Sequence, residues 1–316
     1  VNQRRFSWFG IGFFLGAMMI ATGCLGVRLE EVKRSREISG LAKWSATEAI
    51  CVHDAKADLE RDDPRIGVID SSVTGGRYSE IKVDWPKGEI ANDLEAICRI
   101  PGRTNEFLAA ESGDRADGAV KRAGRVFRLE CRRSGNGIKI RVAQTWYWPE
   151  GTRDIEGLAC AIVEGEPVIF AAKRAGTIYT ARLRFGIIDG ERLEFMGTNR
   201  VGSDILPSFE RKVGDLHIDD AGSVWAVATV DSADTNAEWN DGPFRSAVYR
   251  LGKVTNDLSA PLILDSTGAS AFVIDGLKVE GLTGSILERG LFTIGSDDED
   301  LGGVWRIIGP MRRFND

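Results

Sequence analysis

The chain repeats itself about every 60 residues, and this period limits its fold more than any other feature. Asp93-Leu-Glu95-Ala-Ile returns as Asp154-Ile-Glu156-Gly-Leu, as Asp215-Leu-His217-Ile and as Lys278-Val-Glu280-Gly-Leu. Glu37-Ile-Ser39-Gly-Leu is a degenerate first copy. The third residues stand at 39, 95, 156, 217 and 280, with gaps of 56, 61, 61 and 63. A second apolar run follows each copy, as in Phe107-Leu-Ala-Ala-Glu111 and Val168-Ile-Phe-Ala-Ala-Lys173. A third carries an aromatic residue, as in Arg125-Val-Phe127, Thr177-Ile-Tyr179, Ala247-Val-Tyr249 and Gly303-Val-Trp305. A fourth, more variable run closes most repeats. Four short strands per 60 residues predict a β-propeller blade, and five copies predict an all-β, five-bladed β-propeller of antiparallel strands. The recurring aromatics read as core.

The last repeat ends soon after its third strand, at Ile308-Gly-Pro310. Residues 27–35 precede the first inner strand and have no other assignment. They are predicted to supply the missing outer strand and close the ring, which removes an exposed sheet edge; the competing reading is a charged tether. The domain plan is therefore a leader over 1–23, a tether with a possible closing strand over 24–36, and one propeller over 37–316. Thirty-seven glycines suit such a turn-rich chain. Several precede the third strand (Gly124, Gly176, Gly303) or follow the inner-strand glutamate (Gly157, Gly281).

The leader carries Arg4 and Arg5, then no charge from Phe6 to Gly23, and ends Ala21-Thr22-Gly23-Cys24. A basic start, an apolar run and small residues before a cysteine are an export signal with a lipobox, Cys24 being the lipidated residue. An uncleaved signal anchor and plain secretion are the other readings. Lipidation implies a cell-envelope protein held to the membrane by its N-terminus, at the outer membrane and periplasm in a Gram-negative host. An exported chain meets an oxidising compartment. Cys51, Cys98, Cys131 and Cys160 are then either buried thiols or partners in disulfides, with a pairing that spacing does not give.

The repeated Asp-apolar-Glu-Gly-Leu motif, Glu111-Ser-Gly-Asp114 and Gly295-Ser-Asp-Asp-Glu299 resemble the SdiA-regulated propellers and the broader group named for the esterase-like activity of phytase. The resemblance spans residues 37–308. Its motifs mark the fold more than a chemistry. Asp62-Asp63-Pro64 matches one fragment of the β-propeller phytase motifs, and the partner motifs are missing.

In a propeller the first strand of each blade is innermost. The repeat therefore predicts a ring of Ser39, Glu95, Glu156, His217 and Glu280 around the channel axis, with Glu95, Glu156, His217 and Glu280 as candidate metal ligands. Carboxylates so gathered must protonate, pair or bind a cation. Hard oxygens suit Ca²⁺ first, with other divalent ions open through His217. His217 and Glu156 are the candidates for catalysis. A second set, His53, Glu111, Lys173, Asp231 and Asp297, is predicted at the same mouth as ligand-binding residues. The competing reading is structural: a repeated acid at a strand start can simply accept hydrogen bonds from the next blade. Trp85 and Trp146-Tyr-Trp148 either rim the mouth or pack between blades.

A net charge of −6 gives no basic field for nucleic acid. Phosphate-loop, nucleophile-elbow, His-Glu-x-x-His and Cys-x-x-Cys motifs are missing. Three functional readings follow. The first is an envelope-tethered monomeric module that binds a small molecule or an envelope protein, with a divalent cation at the mouth. The second is a metal-dependent esterase or phosphoesterase, and the third is a structural scaffold.

Overall fold

The computed structural model describes residues 33–55, 63–86, 89–113, 124–135, 137–149, 152–185, 191–230, 243–267, 270–287, 291–298 and 302–309. All of them belong to one compact unit, Glu30–Pro310. Its strands run in chain order as five sheets. After β1 (Lys33–Ser35), blade one is β2 (Gly40–Lys43), β3 (Glu48–Val52), β4 (Ile66–Asp70) and β5 (Arg77–Ile81). Blade two is β7 (Leu94–Arg99), β8 (Glu106–Glu111), β9 (Arg125–Ser134) and β10 (Gly137–Tyr147), with the short β6 (Val83–Asp84) parallel to β10 at its edge. Blade three is β11 (Ile155–Val163), β12 (Glu166–Lys173), β13 (Thr177–Phe185) and β14 (Glu191–Arg200). Blade four is β15 (Arg211–Ile218), β16 (Ser223–Val230) and β17 (Arg245–Val254), whose far edge is shared by β18 (Leu262–Leu264) and β19 (Ser270–Asp275). Blade five is β20 (Val279–Gly284), β21 (Phe292–Ser296) and β22 (Gly303–Ile308).

The missing fourth strand of blade five is β1. It runs antiparallel to β22, with Lys33 opposite Trp305 and Ser35 opposite Gly303. The ring thus closes with the N-terminal segment outermost. The inner strands β2, β7, β11, β15 and β20 touch in cyclic order. The chain is a five-bladed β-propeller.

Each blade interface is filled by its own apolar cluster. Blades one and two meet over Leu94, Phe107 and Phe127. Blades two and three meet over Leu158, Ile169 and Trp148. Phe170, Val224 and Tyr249 join blades three and four, and Phe292 with Val248 joins four and five. Ile38, Leu41 and Trp305 seal five against one. Sheets covered on both faces carry continuous apolar runs near the axis, as in the almost wholly buried β7. The outermost β14 instead alternates half-buried and exposed residues. The tryptophans pack between blades: Trp146 and Trp148 are buried, and Trp85 meets Phe127 edge-on at 5.3 Å.

Glycine is required where blades touch. A Cβ on Gly157 would lie 3.0 Å from the backbone of Asp215 in the next blade, and one on Gly303 would lie 2.3 Å from the Arg36 carbonyl beside the closing strand.

Candidate functional site at the channel mouth

Three of the inner strands start with a one-residue bulge. In β7 the pairing steps from Leu94–Glu111 to Ala96–Ala110, in β11 from Ile155–Lys173 to Gly157–Ala172, and in β20 from Val279–Ser296 to Gly281–Gly295. The residue pushed out is Glu95, Glu156 or Glu280. A bulge re-aims a side chain, which is how these three reach one region. Burial is deep, at 8%, 2% and 4% exposure respectively. Ser39 holds the same place in blade one and is 1% exposed, with its hydroxyl unpaired among the described residues.

Blade four departs from the predicted ring. Leu216 pairs with Ala226 as Leu282 pairs with Ile294, so the residue in step with Glu280 is Gly214, and His217 stands three positions further along β15. Asp215-Leu-His217 resembles Asp154-Ile-Glu156 in spelling, but the strand aligns through Lys212-Val213-Gly214 with Lys278-Val279-Glu280. His217 packs edge-on to Phe292 at 6.1 Å, and burial lowers its pKa to about 4.

The same shift places Asp215 where the other blades have Gly40, Ala96, Gly157 and Gly281. It is fully buried. Its Oδ2 accepts the Leu282 N–H at 2.7 Å and the Leu41 N–H at 3.3 Å, and its Oδ1 accepts its neighbour Leu216 at 2.8 Å. The Leu158 N–H also reaches it. Four of the five inner strands therefore donate to one carboxylate at the waist of the channel. Burial raises its pKa, and these donors oppose the rise.

Cations absorb much of the glutamate ring. Arg174 donates to Glu156 Oε1 through Nε at 3.1 Å. Arg211 Nη1 donates to Glu280 Oε1 at 2.7 Å, and Lys278 Nζ lies 3.3 Å from the same oxygen. Lys278 also reaches Asp297 at 3.5 Å. Burial raises the pKa of Glu156 and Glu280, and these cations counter it. Arg174 and Arg211 carry no repeat signal. What could have found them is charge balance, because three buried carboxylates need buried partners.

Glu95 is different. Among the described residues no hydrogen-bond donor is placed on its carboxylate, and the cation that feels it is Arg174, whose pKa Glu95 raises after Glu156 does. Burial raises its pKa well above the usual range, and Glu156, Asp93, Glu280 and Asp54 raise it further. Asp54, Asp93 and Glu95 each offer an oxygen, all within 4.8 Å of one another. Asp93 is held in the left-handed region at φ 63°, which turns the chain sharply into β7. Three hard carboxylate oxygens, one without a donor, fit a hard divalent ion such as Ca²⁺.

The second predicted set sits one residue out of step. His53, Glu111 and Lys173 face into their blades: His53 Nδ1 donates to the Glu37 carbonyl and Nε2 accepts the Tyr78 hydroxyl at 2.9 Å. Glu111 accepts the Asn92 and Arg125 N–H groups at 2.8 and 3.0 Å and an Arg125 guanidinium bond. Lys173 lies 3.8 Å from Asp154. The residues that reach the ring are their successors, Asp54 and Arg174, together with Asp297. A step of one along a strand reverses the face. Asp231 and Cys24 lie outside the described residues. Cys51, Cys98, Cys131 and Cys160 are free thiols.

No protein-family model and no curated protein matches the chain. Among solved structures it is similar to an α-L-arabinofuranosidase of family GH43 from Clostridium thermocellum, at 10% identity over 90% of this chain and 96% of that one, TM-score 0.43. It is also similar to GH43B of the Bacteroides ovatus xyloglucan locus, at 9% identity over 87% and 52%, TM-score 0.46. A third is Chaetomium thermophilum Sqt1 bound to the N-terminus of ribosomal protein L10, at 15% identity over 64% and 43%, TM-score 0.35. The chain spans between 43% and 65% of the length of the Sqt1 structures it matches. At these scores the likenesses add nothing to the functional reading, which rests on the chain's own geometry.

Proposed function

We propose that the chain is a binding module that presents its channel mouth to a small molecule or an envelope protein, with a divalent cation, Ca²⁺ first, held by Asp54, Asp93 and Glu95. The observation that carries this reading is Glu95, a carboxylate 8% exposed, with two further acids beside it and no hydrogen-bond donor of its own among the described residues. An ion there would leave coordination positions for ligand oxygens. The two remaining ring glutamates keep their arginine and lysine partners and set a polar wall beside the ion.

Binding is favoured over hydrolysis by what the candidate catalytic residues are doing. His217 stands three positions off the ring and packs on Phe292, while Glu156 is engaged by Arg174. The module works as a monomer in the cell envelope, tethered through lipidated Cys24, in keeping with its resemblance to the SdiA-regulated propellers.

A panel of phosphate and carboxyl esters, assayed with Ca²⁺ and with chelator, separates the readings. The binding module turns over none of them, while its melting temperature rises with Ca²⁺. Ca²⁺-dependent turnover abolished by Glu156→Gln in a folded protein would overturn it in favour of the hydrolase.

A further inference from the structure

Two of the four thiols meet across one blade interface. Cys98 lies on β7 and Cys160 on β11, inner strands of blades two and three that touch directly. Successive residues of an inner strand turn to the next and the previous blade in alternation. In blade one, Leu41 packs with the blade-five cluster and Ala42 with the blade-two cluster. Ile97 and Leu158 correspond to Leu41, since their neighbours Ala96 and Gly157 open the same pairing after each bulge. Cys98, one step on, therefore turns towards blade three, and Cys160, two steps on, turns back towards blade two. Both pack in one apolar cluster, with Leu158 and Ile169. Cys160 is also the first neighbour, after burial, that raises the Cys98 thiol.

The other two cysteines belong elsewhere. Cys51 packs between blades five and one, and Cys131 between blades one and two. Neither shares a cluster with the other or with this pair.

We propose that Cys98 and Cys160 are a dithiol that closes to a disulfide between blades two and three, with a disulfide-bearing oxidant such as oxidised glutathione or a thiol–disulfide oxidoreductase. The Cys160 thiolate, on the less buried residue, attacks the oxidant and releases one thiol. The Cys98 thiolate then displaces the second. Two electrons pass from the cysteines to the oxidant, whose two sulfurs leave as thiols with the two cysteine protons. Burial pushes the Cys160 thiol up to about 12, so thiolate is scarce at neutral pH. Closure in the folded protein should speed up about tenfold per pH unit from pH 7 to 9.

The test is to fold the reduced full chain in a glutathione redox buffer, alkylate free thiols and map tryptic peptides. The expected product joins peptides 88–99 and 154–173, with Cys51 and Cys131 alkylated. Cys98→Ala and Cys160→Ala each leave the remaining partner alkylated; for Cys98, alanine already stands at the equivalent Ala42 and Ala159 and suits the site. Reductant should lower the melting temperature of the oxidised wild type by several degrees and leave both variants unmoved. Full alkylation of Cys98 and Cys160 in the wild type, or their linkage to other cysteines, overturns the proposal whether or not the variants fold.

Discussion

At the waist of the channel one carboxylate stands where other blades carry glycine or alanine. Asp215 accepts N–H groups from blades one, three, four and five, so a single side chain ties four inner strands together. Bonds to a buried carboxylate are among the stronger ones, and removing it leaves several donors unmet. Asp215→Ala should cost about 3 kcal/mol or more in urea unfolding. A cost under about 0.5 kcal/mol, the level of a neutral surface change, would show that the waist does not depend on it. The two histidines give a pH signature. Burial lowers both pKa values to about 4 in the folded chain, against 6.5 when unfolded. The unfolded state therefore binds the protons first, and stability is lost as pH falls from about 6.5 towards 4. Urea midpoints measured across that window should fall with acid. His217→Phe, which keeps the contact with Phe292, should flatten the slope by its own share.

At the scale of strands, the repeat period was readable because it is written twice, in the acid-apolar spelling and in the aromatic third strand. The closing strand was readable from an absence, since blade five lacked a fourth run. The register of blade four was not. Asp215-Leu-His217 imitates the motif of its neighbours, while Gly214 occupies the glutamate position without any charged residue to mark it. The face of Glu111 and Lys173 was lost to the bulge in the inner strands they pair with, β7 and β11, which adds one residue to the count. Arg174 and Arg211 lay outside the repeat altogether. Closure by β1 gives its own prediction. Gly303→Ala drives a Cβ into the Arg36 carbonyl at 2.3 Å, and removal of residues 33–35 takes away the strand itself. Each should cost about 2–4 kcal/mol, from lost backbone bonds and an opened edge. Size-exclusion chromatography should also show self-association through β22. A monomer of unchanged stability after deletion of 33–35 would mean that the ring closes without it.

For the whole molecule, five small interfaces hold five blades around an axis, and the chemistry gathers at one mouth. Charge is balanced there in two halves. Glu156 and Glu280 are paired with Arg174, Arg211 and Lys278, whereas Glu95, beside Asp54 and Asp93, has no ion pair of its own among the described residues and shares the field of Arg174. Without an ion, Glu95 carries a cost. Its folded pKa is raised, so stability falls as pH climbs above the unfolded value near 4.5. Glu95→Gln should therefore be more stable than wild type at pH 7 in chelator, and the difference should vanish as pH drops to 4.5. The direct measurement is a calorimetric Ca²⁺ titration of the chelator-stripped full chain at pH 7, beside Glu95→Gln and Asp93→Asn. The account predicts one saturable site in wild type, a melting temperature that rises with its occupancy, and loss of both in either variant. Wild type that takes up no Ca²⁺, or a Glu95→Gln protein that binds it as tightly, would contradict it.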